Sequence, residues 1–377
     1  MSNLDDLISK TKNGKNSRFT LFEATISPGE TASLGLPLPE MLGYAPLYMP
    51  VKVINGKQAG PTVLAFATMR GDEFNGMEIL KQLVGMQLLD RLHGTLVVVP
   101  VLNVFGMLNR SSALPDGHTL ENNFPGSPEG NYTERTAHLF YENLFQRCDV
   151  CIEIYSGQLN HNFLPHTVAD FSVETNRALA KSFPVSVAVN SEAEEGSLQA
   201  AAKNAGIPML SYQAGEAMRF NPHAIRLGKK GIIGVLRTLQ MLPEPEKTKA
   251  KESHTPITSE KSDWVHATKS GIAHPSVRLG DRVAIGDPLA KISEPLGSFQ
   301  EVTVTSPVDG VVVGANDMPL VFEGDFLFRI ATFEKLDEVA NRLQEWAEEL
   351  PNSAGESSTS PSVSNESFEG DSPRNEI

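Results

Sequence analysis

The sequence has few cysteines and few basic residues. Its 377 residues include only two cysteines, Cys148 and Cys151, and 32 lysines and arginines against 46 aspartates and glutamates. The net charge of −14 disfavours a nucleic acid or an anionic membrane as partner, because phosphate contacts need a basic face. The cysteines enter a predicted strand instead of opening a helix, which disfavours a redox pair, and a zinc site would need two more ligands. We expect both cysteines to be reduced and packed in the core.

Long apolar runs are also absent. No stretch approaches the 18 or so apolar residues of a membrane span, and the first residues lack the basic start and apolar run of a secretory signal. We therefore expect a cytoplasmic protein whose partners are small molecules or protein segments, with its oligomeric state left open. A chain of this length with 40% hydrophobic residues can form two or three domains.

Shifts in composition divide the chain. A Pro-, Lys- and Glu-rich stretch without periodicity is typical of a linker, and the C-terminal Ser-, Glu-, Asn- and Pro-rich stretch has too few large apolar residues to fold. The predicted parts are a flexible N-terminus (1–17), an α/β domain (18–242), a linker (243–262), a small β-barrel (263–332), a helix (333–350) and a disordered tail (351–377).

The stretch from Leu64 to Gly76 is the centre of the α/β domain. An apolar run ends there in a glycine-bracketed turn, which is followed by a helix with an apolar face. Binding sites in open α/β sheets lie at such strand ends. We therefore expect Arg70, Asp72 and Glu73 to lie at the mouth of the sheet.

The turn Gly71-Asp-Glu-x-Asn-Gly76 resembles that of the succinylglutamate desuccinylase/aspartoacylase family, relatives of the zinc carboxypeptidases. In that family the motif Gly-x-His-Gly-Asp-Glu-x-Asn-Gly supplies a histidine and a glutamate to zinc, whereas this chain has Arg70 at the histidine position. The resemblance implies an α/β fold with a mixed twisted sheet flanked by helices. It also implies a following lipoyl-like β-barrel, as in bacterial members.

Three further segments depart from the family pattern. Leu120 and Phe124 to Gly126 match the substrate loop, but Thr119, Glu121 and Asn122 replace the family's Asp, Asn and Arg. Tyr155 stands where the family has its third zinc ligand. In the segment Tyr212-Gln-Ala-Gly-Glu216, Gln213 occupies the position of the general base.

These differences remove most of the groups that zinc hydrolysis needs. Zinc-dependent amide hydrolysis uses two imidazoles and a carboxylate on the metal, with a second carboxylate as base. Only Glu73 remains, and arginine has no lone pair for a metal. We predict no metal, no other cofactor and no catalytic residue, and we expect Arg70 to pair with Glu73. The predicted cleft residues are Arg70, Asp72, Glu73, Asn122, Tyr155, Gln213 and Glu216.

Two functions follow as hypotheses. The first is a non-catalytic member of the family that binds a small molecule or a protein segment in the former substrate cleft. The alternative is a zinc-dependent amidohydrolase, a deacylase acting on an N-acyl amino acid or a related small amide through rearranged ligands or an unrecognised mechanism. Such ligands could in principle come from His118, His161 and His166, with Cys151 or Glu153, although their spacings match no metal template.

Overall fold

The computed structural model describes residues 3–12, 14–41, 46–158, 160–245, 255–294, 296 and 301–349. Its strands are β1 (Phe19–Leu21), β2 (Ala24–Ile26), β3 (Thr31–Pro37), β4 (Tyr48–Asn55), β5 (Gln58–Ala67), β6 (His93–Val99), β7 (Val150–Tyr155), β8 (His161–Ala169), β9 (Val187–Asn190), β10 (Met209–Gly215), β11 (Ile257–Thr258), β12 (Lys261–His266), β13 (Gly271–Pro275), β14 (Arg282–Val283), β15 (Pro288–Ser293), β16 (Val302–Thr305), β17 (Gly310–Asn316), β18 (Leu320–Val321) and β19 (Phe326–Thr332). Its α-helices are α1 (Leu4–Ser9), α2 (Phe74–Val84), α3 (Val104–Asn109), α4 (Tyr132–Asn143), α5 (Glu174–Ala180), α6 (Leu198–Ala205), α7 (Pro222–Thr238) and α8 (Leu336–Glu349).

A mixed sheet forms the centre of the α/β domain. Strand β5 pairs in parallel with β6 and β7, and β10 pairs in parallel with β7. Antiparallel strands flank this parallel core, with β4 against β6 on one side and β8 against β10 on the other. The predicted mixed sheet flanked by helices is confirmed.

The apolar strands are buried on both faces, as parallel strands require. Along β5, Val63 and Ala65 belong to the core that includes residues of α2, α5 and α7, whereas Leu64 and Phe66 belong to the core that includes residues of α4 and α6. Cys151 packs in this second core together with Cys148, and both cysteines are free and buried. The prediction of reduced packing cysteines is confirmed.

The C-terminal strands continue the central sheet. Strand β17 pairs with β8, where Gly314 lies opposite Phe163, and β19 and β12 follow at the edge. A second sheet of order β16-β15-β13-β18 contributes to the separate apolar core of this strand-rich region. The expected small additional domain is present, and its strand β17 is hydrogen-bonded to β8 of the α/β domain.

The linker prediction is wrong over its last residues. Ile257 and Thr258 form β11, which pairs in parallel with β9, and β12 begins at Lys261. Backbone pairing with a sheet edge orders this stretch, which composition alone does not reveal. Residues 246–254 lie outside the described residues.

The prediction of a flexible N-terminus is also wrong for the described residues 3–12. Asn3 caps α1 by accepting a hydrogen bond from the backbone N–H of Asp6 at 2.7 Å, and Leu7 is fully buried. Lys10 pairs with Asp149 at 2.5 Å. The cap orders the first turn of α1, and Leu7 and Lys10 hold this segment against the α/β domain.

Helix α8 lies within the predicted range 333–350 and packs Val339 and Leu343 against β17 and neighbouring strands. The predicted disordered tail, residues 351–377, lies outside the described residues. In the described part of the chain no helix is long and apolar enough to cross a membrane.

Candidate functional site

The turn after β5 is fixed by close packing. The Thr68 hydroxyl contacts two carbonyl oxygens, those of Glu73 at 3.0 Å and Pro100 at 3.1 Å, and so links the turn to the end of β6. Gly71 lies so near α3 that an added Cβ would be 1.8 Å from the carbonyl carbon of Gly106. Only glycine fits there, which explains that part of the motif.

Arg70 is buried among three carboxylates. Its side chain exposes 2% of its area, and its Nη1 atom donates to Oε1 of Glu121 at 3.0 Å. Nη2 lies 3.3 Å from Oε1 of Glu73, and Nε lies 3.5 Å from Oδ1 of Asp72. Burial lowers the pKa of Arg70, but these carboxylates and Tyr155 outweigh that effect and raise its pKa well above the ordinary value. The predicted pairing of Arg70 with Glu73 is confirmed.

The guanidinium also contacts the end of β7. Nη1 donates to the hydroxyl of Tyr155, Nη2 donates to the carbonyl oxygen of Ser156 at 2.6 Å, and Cζ lies 4.4 Å from the centre of the Tyr155 ring. A planar cation with fork-shaped donors suits this arrangement, which a lysine could not reproduce. Arg70 therefore joins the turn after β5 to the end of β7.

Glu73 is held by hydrogen bonds from the backbone as well. One carboxylate oxygen accepts from the N–H of Arg70 at 3.1 Å, and the other accepts from the N–H of Ser156 at 3.0 Å. Burial raises the pKa of Glu73 to about 7, while the Arg70 guanidinium and these two N–H groups oppose the rise. The carboxylate is thus held by two backbone donors and by its ion pair with Arg70.

The family's zinc ion does not fit these residues. Arg70, Glu73 and Tyr155 do converge, as the resemblance implies, but the guanidinium has no lone pair. Burial raises the pKa of Tyr155, so its hydroxyl keeps its proton. Across the described residues, no group of three His, Cys, Asp or Glu side chains is placed to hold a metal ion.

The histidines proposed for a rearranged metal site lie in different environments. His118 is exposed, and His161 packs its ring against Trp264 with the ring centres 5.6 Å apart. His166 is fully buried, its Nδ1 atom lies 2.6 Å from the carbonyl oxygen of Leu164, and burial lowers its pKa to about 3. Among the described residues, these side chains therefore do not form the rearranged ligand set.

A cleft of about 250 Å³ opens beside the Arg70 cluster. Of the predicted cleft residues, Asn122, Tyr155 and Gln213 line it, whereas Arg70, Asp72 and Glu73 are buried outside its lining. The remaining lining residues are Met69, Glu121, Glu153, Val168, Ser191, Glu192, Glu194, Ser197, Leu198, Gln199, Met209 and Arg329.

Glu216 does not line this cleft. Strand β10 ends at Gly215, whose φ is +71°, and the Glu216 carboxylate lies 3.3 Å from Nε of Arg219. Its carbonyl oxygen accepts a hydrogen bond from the side chain of Asn75 at 3.3 Å. Glu216 lies outside the cleft because the chain turns away at Gly215. Its contacts with Arg219 and Asn75 help to hold the loop after β10.

Three of the charged residues that line the cleft, Glu121, Glu153 and Arg329, were not among the predicted cleft residues. Glu153 precedes Tyr155 by two residues on β7, so the strand period of two could have placed both on one face. Burial raises the pKa of Glu153 to about 8. Glu121 belongs to the loop that carries Asn122. Arg329 lies on β19 and donates from Nη1 to Oε1 of Gln213 at 3.3 Å, a contact between residues 116 positions apart.

Residues 59–239 match the family model described as the succinylglutamate desuccinylase/aspartoacylase catalytic domain. N-alpha-acetyl-L-2,4-diaminobutyric acid deacetylase of Halomonas elongata is 25% identical over 297 residues, which are 76% of this chain and 86% of that protein. These comparisons confirm the family resemblance that was inferred from the turn at residues 70–76.

Solved structures share the fold. The succinylglutamate desuccinylase/aspartoacylase of Rhodobacter sphaeroides aligns over 80% of this chain and 96% of its own, with 20% identity and a TM-score of 0.72. The product-bound ectoine utilization protein of Ruegeria pomeroyi aligns over 85% of this chain and 99% of its own, with 24% identity and a TM-score of 0.74. Because 80% or more of this chain is aligned, these likenesses extend beyond the α/β domain.

Proposed function

We propose, because residues 59–239 match the model of the succinylglutamate desuccinylase/aspartoacylase catalytic domain, that the cleft binds a small N-acylated amino compound without zinc. The observation that carries the proposal is the Arg70 cluster. A buried guanidinium paired with Glu73 and hydrogen-bonded to Tyr155 takes the place of the family's ion. The open cleft beside it retains space and polar groups for a ligand.

The size and lining of the cleft support a small ligand over a protein segment. A volume of about 250 Å³ is below the usual range for drug-sized ligands and suits a metabolite. Glu121 lies on its wall, and the exposed Glu192 and Glu194 lie at its edge. Carboxylates attract an amine, which is the group that distinguishes a diamino acid from a simple amino acid.

Glu153 supplies a specific contact for an amide. A carboxyl group with a pKa near 8 is mostly protonated at neutral pH. A protonated carboxyl group can donate a hydrogen bond to a carbonyl oxygen, whereas an ionised one can only accept. This supports an N-acyl group as one part of the ligand, with its carbonyl oxygen near Glu153.

A second candidate function is hydrolysis of the same compound. The family is deacylase-like, and the Halomonas relative is named as a deacetylase. These comparisons support the deacylase alternative better than the non-catalytic interpretation. The geometry supports binding more directly, because two of the family's three zinc ligands are replaced and Gln213, which is not ionisable, occupies the family's base position.

One experiment separates the two. Purified chain is titrated with N-acetyl-L-2,4-diaminobutyrate by calorimetry and then assayed for acetate release, with and without added zinc. Binding without acetate release supports the first candidate, and zinc-dependent release supports the second. A protein that neither binds nor hydrolyses this compound or related N-acyl amino acids would overturn the proposal.

A further inference from the structure

Arg329 reaches the cleft from the C-terminal strand-rich region. It lies on β19, opposite Trp264 of β12 and Gly314 of β17 in the sheet. Its Nε atom donates to the Ser262 hydroxyl at 3.0 Å, and its Nη1 atom donates to Gln213 at 3.3 Å. Two side chains therefore orient the guanidinium at the wall of the cleft.

This guanidinium has no carboxylate partner among the described residues. Three carboxylates form ion pairs with Arg70, whereas no ion pair among the described residues includes Arg329. Burial lowers the pKa of Arg329, and the opposing effects of Tyr155, Asp263 and Glu194 do not overcome it. Arginine stays protonated in proteins, so the cleft contains a cation that forms no direct ion pair with a described carboxylate.

The two arginines near the cleft are in opposite situations. Arg70 is surrounded by Asp72, Glu73 and Glu121 and lies outside the cleft lining, so it offers little to a ligand. Arg329 lines the cleft, and its Nη2 atom donates to no group that the structure describes. An incoming carboxylate would find its only cationic partner in the lining at Arg329.

We propose that Arg329 binds the carboxylate of the cleft's ligand and thereby selects N-acyl amino acids over N-acyl amines that lack an acid group. This inference rests on the proposed function and narrows its ligand class. The carboxylate would lie at the β19 side, and the acyl and amino groups would extend toward Glu153 and Glu121. The C-terminal region would then form part of the binding site.

Matched ligands and variants test the assignment by calorimetry. The probes are N-acetyl-L-2,4-diaminobutyrate, N-acetylglycine and the carboxamide of each, in which the acid is neutral. The variants are Arg329→Gln and, as control, Arg278→Gln, which removes an exposed arginine of the same region. Arg329→Gln should weaken binding of the acids about tenfold to a hundredfold, the usual range for a hydrogen bond to a charged group. It should leave binding of the carboxamides nearly unchanged, and Arg278→Gln should change neither.

The outcomes separate this inference from the proposed function. If acids and carboxamides bind the parent equally well, or if Arg329→Gln leaves the preference intact, the Arg329 assignment is wrong while the proposed function stands. If none of the four probes binds the parent, both are overturned. Arg329→Lys keeps the positive charge and serves as a control for a loss of folding. If the charge is the cause, this variant should recover part of the preference for acids.

Discussion

The Nη2 atom of Arg70 lies 3.3 Å from Oε1 of Glu73, and these two side chains expose 2% and 1% of their areas. A lone buried charge is costly, so each of these groups needs the other. The pair stands where the family resemblance places a histidine and a glutamate on zinc. In the turn after β5, the Arg70 guanidinium thus occupies the position that the family pattern gives to a metal-binding histidine.

Breaking this pair should destabilise the protein strongly. Arg70→Ala leaves Glu73 and Asp72 without their cation and should cost about 3–5 kcal/mol of unfolding free energy. Adding Glu73→Gln should recover part of that cost, as measured by denaturant unfolding in a double-mutant cycle. Lys81→Ala, which removes an exposed pair with Glu78, serves as control and should change stability by less than about 0.5 kcal/mol. Additive effects of the two core changes would contradict the pairing.

Zinc content should follow the residues at positions 70 and 155. We expect the purified parent to bind no stoichiometric zinc, because a guanidinium and a protonated phenol cannot serve as ligands. Arg70→His combined with Tyr155→His places two imidazoles beside Glu73 and should gain zinc affinity. Elemental analysis after dialysis against a weak chelator measures both. About one zinc per parent chain would show that other ligands hold the metal.

Stability should depend on pH through Glu153. Its pKa is about 8 in the folded protein against an ordinary 4.5, so the folded state keeps a proton that the unfolded state releases. The stabilisation is complete below about pH 4.5 and is lost as pH rises to about 8, on the order of 1 kcal/mol per pH unit.

Urea unfolding at about pH 5.5 and about pH 8 measures this loss. Glu153→Gln should reduce the pH dependence, while the contribution of Glu73 remains in both proteins. Equal pH dependence in the parent and the variant would show that Glu153 does not titrate in this range.

Removal of the whole region after residue 245 should destabilise the protein far more than removal of residues 351–377 alone. A chain that ends at residue 245 loses β17 and β11, which leaves β8 and β9 with unpaired edges and uncovers Val168 and Leu164. We expect this chain to aggregate or to lack a cooperative thermal transition.

Removal of residues 351–377 provides the matched comparison. Composition predicts that this segment contributes little to folding, so we expect the melting temperature to change by less than about 2 °C. A larger drop in melting temperature would show that residues 351–377 pack against the folded chain. An unchanged thermal transition in the chain that ends at residue 245 would show that the α/β domain folds alone.

The amino-acid sequence by itself determined the local features of the site. The apolar run that ends before Arg70 and the glycines that follow it are short-range signals, and they were enough to predict a turn at a strand end. Arg70 and Glu73 are three residues apart, so their pairing could be predicted. The mixed sheet also followed from local periodicity together with the resemblance to a family.

Tertiary structure alone decided which distant residues meet. Arg329 contacts Gln213 across 116 positions, and no periodicity in either strand indicates that partner. The docking of Leu7 and the pairing of β11 with β9 depend in the same way on surfaces formed elsewhere in the chain. Glu216 leaves the cleft because Gly215 has a positive φ, a backbone choice that neighbouring packing fixes. Local patterns specify the conformation of a segment, whereas its partners depend on how all segments pack together.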